Sequence, residues 1–402
     1  MATVARIFGP HNLALAEDVV QDAFSRALEV WKIRGMPDNP SAWLMTAAKN
    51  RALDALRRER TVRTFAPELD HLLRSEWTAA PALDSEFAGA QVKDDMLRMM
   101  FSCCAAGLSE EAQVALILNI LCGFTAGEIA AAFFASRAAI EKRLARAKSA
   151  LSQDRSLFDI GDAGSFAARL PIVQRALYLL FSEGYHGASP HGAIRSDLCH
   201  EAMRLTELLL GHPLGQVPAS LALAALMCFN AARLPGRDRD GGLVALADQD
   251  RSLWNRPLIA RGMELLDASA FGSEVSEYHL EAAIASLHAG APSLEQTDWS
   301  RIVGLYDMLL DLKPSPVVAL NRAIAVAQLH GPERGLEAIA AAALPESFER
   351  YPFYHAALGE LKLRSGQTES ARAHFEAASQ AARNAMERQF LAERAGACAT
   401  TS

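Results

Sequence analysis

FTAGEIAAAFFASRAAIEKRLARAKSAL, residues 124–151, is the stretch on which the reading of the whole chain turns. Thr125 and Glu128 form a T-x-x-E capping box, in which hydroxyl and carboxylate each accept a backbone N–H that a first helical turn leaves unpaired. That starts a short helix to about Ala132, and Ser136 can cap a second helix after a tight turn. In the second helix Ile140, Leu144, Ala147 and Leu151 share one face, whereas Ala138, Lys142, Arg146 and Ser149 point largely away. The spacing predicts a helix-turn-helix, whose second helix can lie in a major groove with its N-terminal residues at base edges. Base reading would fall to Arg137, Ala138, Ala139, Glu141 and Lys142, with Ser136, Arg143 and Arg146 completing the surface offered to DNA. Flanking cations would meet phosphates, which gives affinity with little discrimination. Taken alone, the same helix is equally readable as a solvated basic face.

The charge distribution bears on that choice. The 402-residue chain is half apolar, enough for two or three domains, and its net charge is −7. An acidic balance excludes coating nucleic acid with the whole surface but not a local basic reader. Positive charge is concentrated twice. Lys49, Arg51, Arg57, Arg58, Arg60 and Arg63 outnumber Asp54 and Glu59, and Arg137, Lys142, Arg143, Arg146 and Lys148 outnumber Glu141. Residues 65–124 between them carry an excess of acid. Two separated cationic helices suit a protein that grips two places on one duplex.

Helical periodicity runs nearly throughout, broken by Gly, Pro and Asn, with no alternating strand pattern, so the fold class is all-α. Residues 15–32 place Val20, Phe24, Ala27 and Trp31 on one face as core, and Asp18, Asp22, Ser25 and Glu29 on an acidic opposite face. After RGMPDNP, Asn39 caps and Pro40 opens a helix reaching about Arg60. The chain divides into residues 1–64, a proline-bearing linker over 65–89, residues 90–155 containing the helix-turn-helix, and a helical part over 165–402. Towards the end, Leu358, Gly359, Ala371, Phe375 and Ala378 have the spacing of a tetratricopeptide repeat, with Lys362 in place of its usual aromatic residue, and residues 315–342 look like a weaker copy.

Other classes find little support. Six scattered cysteines show neither a C-x-x-C pair nor a disulfide frame, which suits a reducing cytoplasm. His186, His191 and His200 near Cys199 lack metal spacing, so neither metal nor cofactor is expected. No apolar run reaches membrane-spanning length and no leader pattern opens the chain, which reads as soluble and unexported with no membrane partner. There is no phosphate loop, nucleophile elbow or paired His and carboxylate motif, so an enzyme is not expected.

AEDVVQDAFSRALEVW (16–31), NPSAWLMTAAKNRALDALRRER (39–60) and the helix-turn-helix together resemble regions 2 and 4 of bacterial extracytoplasmic-function sigma factors, in order and at the usual separation. ALYLLFSEGY (176–185) and LADQDRSLWNRPLI (246–259) are similar to the subgroup with a long helical, repeat-containing C-terminal extension. The resemblance implies core RNA polymerase and promoter DNA as partners. Asp18, Gln21 and Asp22 then match positions that dock on the beta-prime clamp helices. Asn39, Trp43, Lys49, Asn50, Arg51, Asp54, Arg57 and Arg58 fall in the part that opens the −10 element and holds an extruded base, although Trp43, at helical spacing with other apolar residues, also reads as core. The helix-turn-helix matches the −35 reader that touches the beta flap, with Ile140, Arg143 and Leu144 in the family's apolar-x-x-Arg-Leu pattern, where Arg143 meets phosphate or caps carbonyls. Family members carry a further helix before AEDVVQDAF, and the dozen residues here leave Val20, Phe24 and Trp31 short of a packing partner, or imply a start further upstream.

For the extension, the resemblance implies control by the attached part itself; a repeat array offers a concave groove for a peptide or another face of the chain, with 240–242 and 248–254 as candidate contacts to one or both sigma-type domains, against the plainer reading of 240–242 as a Gly-Gly turn joining helices. The competing readings are a helix-turn-helix regulator with a helical sensor domain, independent of polymerase, and a repeat scaffold with no salt-sensitive DNA affinity.

Overall fold

The computed structural model describes residues 13–40, 42–44, 46–48, 50–51, 95–105, 107–153, 163–186, 194–239 and 242–400. The linker expected over 65–89 and the end of the helix expected to reach Arg60 lie outside them. The described chain is all-α apart from one two-residue antiparallel ladder. It forms two compact units: the described residues up to Ala176 with His212–Leu214, and Leu177–Gly211 with Gly215 onward.

The first unit begins with α1 (Leu13–Arg34) and α2, helical at its described positions between 40 and 51. Gly35 turns the chain between them with φ 78°, where a Cβ would be strained. Asn39 caps α2 as expected, its Oδ1 accepting the Ala42 N–H at 3.0 Å. Then come α3 (Asp95–Ser102), α4 (Glu110–Ile120), α5 (Ala126–Ala132) and α6 (Arg137–Gln153). Apolar on nearly all sides, α4 is the central element, with Val114–Leu118 almost fully buried and α5 and α6 against it. The first turns of α7 (Ala163–His186) join this unit through Phe166, which stacks on Phe101 at 4.4 Å and on His212 at 4.8 Å.

The second unit continues α7 into α8 (Ser196–Leu210) and α9 (Pro218–Ala232). Nearly every side chain of α9 is buried. There follow α10 (Leu234–Arg237), β1 (Asp238–Arg239), β2 (Gly242–Leu243) and two 3-10 turns at Leu246–Asp248 and Arg251–Leu253. Then come α11 (Arg256–Ala268), α12 (Glu277–Gly290), α13 (Trp299–Leu312), α14 (Pro316–His330), α15 (Pro332–Ala341), α16 (Pro352–Arg364), α17 (Thr368–Ala381) and α18 (Ala385–Thr400).

From α11 onward each helix packs on its successor. Small residues set the spacing. A Cβ on Gly335 would lie 2.4 Å from Ala327 Cβ, and one on Gly359 would lie 3.0 Å from the Phe375 ring, so α14 with α15 and α16 with α17 approach closely. The last helix, α18, returns to β2, and just before it Arg383 donates to the His186 carbonyl at 3.0 Å while pairing with the buried Glu387.

Candidate nucleic-acid interface

The local chemistry of residues 124–151 forms as its spacing predicts. Glu128 N–H donates to Thr125 Oγ1 at 3.2 Å, and Thr125 N–H donates to Glu128 Oε2 at 2.7 Å, so both halves of the capping box are present. The turn after α5 places Phe134 in the left-handed region at φ 51° with its ring exposed, and Ala135 N–H closes the turn onto the Ala130 carbonyl at 2.9 Å. Such a conformation costs a side-chain-bearing residue about 1–2 kcal/mol, which the capped helices on both sides must offset. Ser136 then caps α6, its Oγ accepting the Ala139 N–H at 3.3 Å.

Along α6, Ile140, Leu144, Ala147 and Leu151 are all buried, which pins the helix by one stripe. Ser136, Arg137, Ala138, Ala139, Glu141, Lys142 and Arg146 are exposed, while Arg143 is partly buried. The first two turns of α6 thus stand clear with two small residues between charged ones, a surface that can approach a groove closely.

The cations have different neighbours. Arg137 pairs with Glu141 at 2.8 Å, both exposed, a contact worth little in water and easily exchanged for phosphate or base edges. Arg143 pairs with Glu111 of α4 at 2.9 Å, so its partner here is a carboxylate. Lys148 reaches Glu17 of α1 at 2.6 Å. That pair lies 131 positions apart in sequence and was missed by sequence reasoning, because no local pattern announces it.

The acidic face of α1 is where the sequence puts it, with Asp18, Gln21, Asp22, Ser25 and Glu29 exposed. Its core face needs correction. The buried stripe is Ala16, Val19, Ala23 and Ala27, whereas Phe24 is 54% exposed and Val20 only partly covered. Ala27 is buried as expected, but Val19 and Ala23, with Ala16, take the places expected for Val20 and Phe24, their smaller side chains permitting a close neighbour. Against α1 lies α2: Trp31 and Trp43 meet edge to face at 5.5 Å, and Arg51 Nε donates to Asp22 Oδ2 at 2.5 Å. Trp43 is partly buried and Asn50 exposed. Asp22, expected to face polymerase, and Arg51, expected to face DNA, therefore hold one another. Lys49, Asp54, Arg57 and Arg58 lie outside the described residues.

No helix among the described residues is long and apolar enough to cross a membrane, and no cluster of three metal-ligating side chains occurs among them. No disulfide joins any of the six cysteines. Burial pushes the Cys104 and Cys199 thiols up to about 12 and Cys228 to about 11, which leaves them unreactive.

Residues 2–62 match Sigma-70 region 2, residues 98–151 match Sigma-70 region 4, and residues 169–270 match a family of unknown function, DUF6596. The chain is 39% identical over 394 residues, 97% of its own length and 91% of the other's, to the uncharacterized protein R00370 of Rhizobium meliloti strain 1021. No solved structure matches it. The two regions align with the cationic segments and with the helix-turn-helix just described, and sigma-factor regions carry no catalytic function of their own. The chain belongs to one family with the Rhizobium meliloti protein, and it is a sigma factor of the extracytoplasmic-function type, which directs RNA polymerase to promoters.

Proposed function

We propose that α6 reads the −35 element through Ser136, Arg137, Ala138, Ala139, Glu141, Lys142, Arg143 and Arg146, with base contacts at its N-terminal end and phosphate contacts along its flanks. The observation that carries this is the exposed N-terminal face of α6 above a fully buried stripe. Around α2, Asn39, Trp43, Lys49, Asn50, Arg51, Asp54, Arg57 and Arg58 open and hold the −10 element. Asp18, Gln21 and Asp22 dock on the beta-prime clamp helices, and the region-4 part meets the beta flap. In this reading residues 1–64 and 90–155 are the two DNA-engaging parts and 65–89 is their tether.

The Lys148–Glu17 pair gives the scheme a free state and an engaged state. Elements centred at −10 and −35 are 25 steps apart, about 85 Å along a duplex at 3.4 Å per step. The pair must open for both to be gripped. More than forty residues separate 51 from 95, and at roughly 3.3 Å each that is length enough.

Residues 165–402 act as a TPR-like control element on these parts, through contact with the same chain or a separate protein. The close hairpins α14–α15 and α16–α17 support a repeat-like reading. In vitro transcription with purified core polymerase over a promoter library tests the scheme. The full chain should impose a promoter preference that the double variant Arg137→Ala, Lys142→Ala alters. A chain that fails to capture core polymerase would sink it. A truncation that tests the extension should keep residues through Ala176, because Phe166 belongs to the stack on Phe101.

A further inference from the structure

The second unit contains a group of charges that promoter recognition does not use. Arg233 follows α9, Arg237 closes α10 one helical turn later, and Arg251 opens the second 3-10 turn. Two of them flank one indole: the guanidinium carbons of Arg233 and Arg251 lie 5.5 and 4.7 Å from the Trp254 ring centre. That of Arg237 lies 3.9 Å over the ring of Tyr185. Arg237 also donates to the Tyr185 carbonyl at 3.1 Å, and Arg251 Nη1 donates to the carbonyls of His288 and Ala291, each at 2.7 Å. These are neutral acceptors, and none of the three arginines forms an ion pair among the described residues.

The hydrogen-bond count is more telling. Tyr185 Oη, Arg233 Nε, Arg237 Nε, Arg251 Nη2 and Trp254 Nε1 are all buried donors with no acceptor. Tyr185 and Trp254 are only 3% and 2% exposed. Native proteins leave few such groups, and several in one neighbourhood call for an occupant rich in acceptors. The carboxylate that acts on the group is the exposed Glu295 near Arg251, and the nearby imidazoles add no countercharge. Burial first, and then Arg233 and Arg251, push His288 down to about 4.

We propose that Arg233, Arg237, Arg251 and the Tyr185 hydroxyl form a binding site for a small phosphorylated anion. Three guanidiniums and a hydroxyl supply donors to several oxygens at once, and a phosphoryl group brings more acceptors and more charge than one carboxylate. The donor atoms are buried, which sets them out of reach of the convex backbone of a duplex. Both aromatic faces already carry guanidiniums, so recognition rests on the phosphoryl group and not on stacking of a base.

Calorimetry on the full chain tests this, with inorganic phosphate and ribose 5-phosphate as the two sources of the group and citrate as a carboxylate control, all at equal ionic strength. The expected result is saturable one-to-one binding of at least one phosphate, with the tighter of the two naming the source. Arg233→Met, which removes a guanidinium that makes no hydrogen bond, should weaken it about tenfold. Without phosphate that variant should melt no lower than the native chain, because a like charge has been taken away. Tyr185→Phe removes only the unpartnered hydroxyl and should weaken binding about threefold. Absence of saturable binding by both phosphates to the folded native chain overturns the site. So does tighter binding of citrate, binding unchanged in both variants, or a lowered melting point of Arg233→Met in phosphate-free buffer. The readout does not involve polymerase, so its failure is separate from any failure of the promoter-recognition scheme.

Discussion

Two groups of cations in this molecule obey opposite rules. On α6 every cation is exposed or faces a carboxylate: Arg137 with Glu141, Arg143 with Glu111, Lys148 with Glu17. Around Trp254 and Tyr185, three guanidiniums are partly buried and face carbonyls, rings and one another. An exposed cation costs little and can trade a weak partner for a phosphate, whereas a buried unpaired one carries a desolvation penalty. The first arrangement suits a surface that binds and releases a polyanion, and the second carries a penalty that the proposed anion would offset.

The largest effect should come from removing the support beneath the exposed cations. Ile140→Ala should cost about 2–5 kcal/mol, seen as faster amide exchange along α6 in the full chain. Next, the second unit should lose stability in acid. The folded pKa of His288, about 4, lies below an unfolded value near 6.5, so the unfolded chain binds more protons between the two. Its contribution is full above pH 6.5 and declines as pH falls towards 4, by ~3 kcal/mol. His288→Phe should flatten that fall in a series of melting curves, and an unchanged slope would break the contrast between the two regions. Arg146→Ala, on the flank of α6, should weaken promoter binding across sequences and reduce the salt dependence by about one ion. Smallest of all, Lys148→Ala should change folding stability by less than about 1 kcal/mol, since both partners are about a third exposed.

The helix-turn-helix was legible because everything that makes it is local: a four-residue cap, a serine cap and a stripe at helical spacing. The fold class was legible for the same reason. On α1 the reading held at Ala27 but slipped by one position at Val20 and Phe24, since the size of Phe24 drew the core face towards itself while Val19 and Ala23, with Ala16, were doing the burying. The Lys148–Glu17 and Arg143–Glu111 pairs were not legible, because each depends on where another helix comes to rest. Nor was the arginine group. Residues 248–254 were offered only as candidate contacts of the extension, and no pattern in them announces that Trp254 is buried with Arg251 turned onto it. The residues are separate in sequence, and only the fold gathers them.

The return of α18 to β2, with Arg383 bonded to a carbonyl 197 positions earlier, changes how the second unit should come apart. An open stack of helical pairs frays from its free end and can assemble piecemeal. Here the final helix closes a very long loop, so the unit should melt in a single cooperative step and refold slowly for so helical a protein. A nick near its tail would then be felt at the far side of the sequence, where α7 ends.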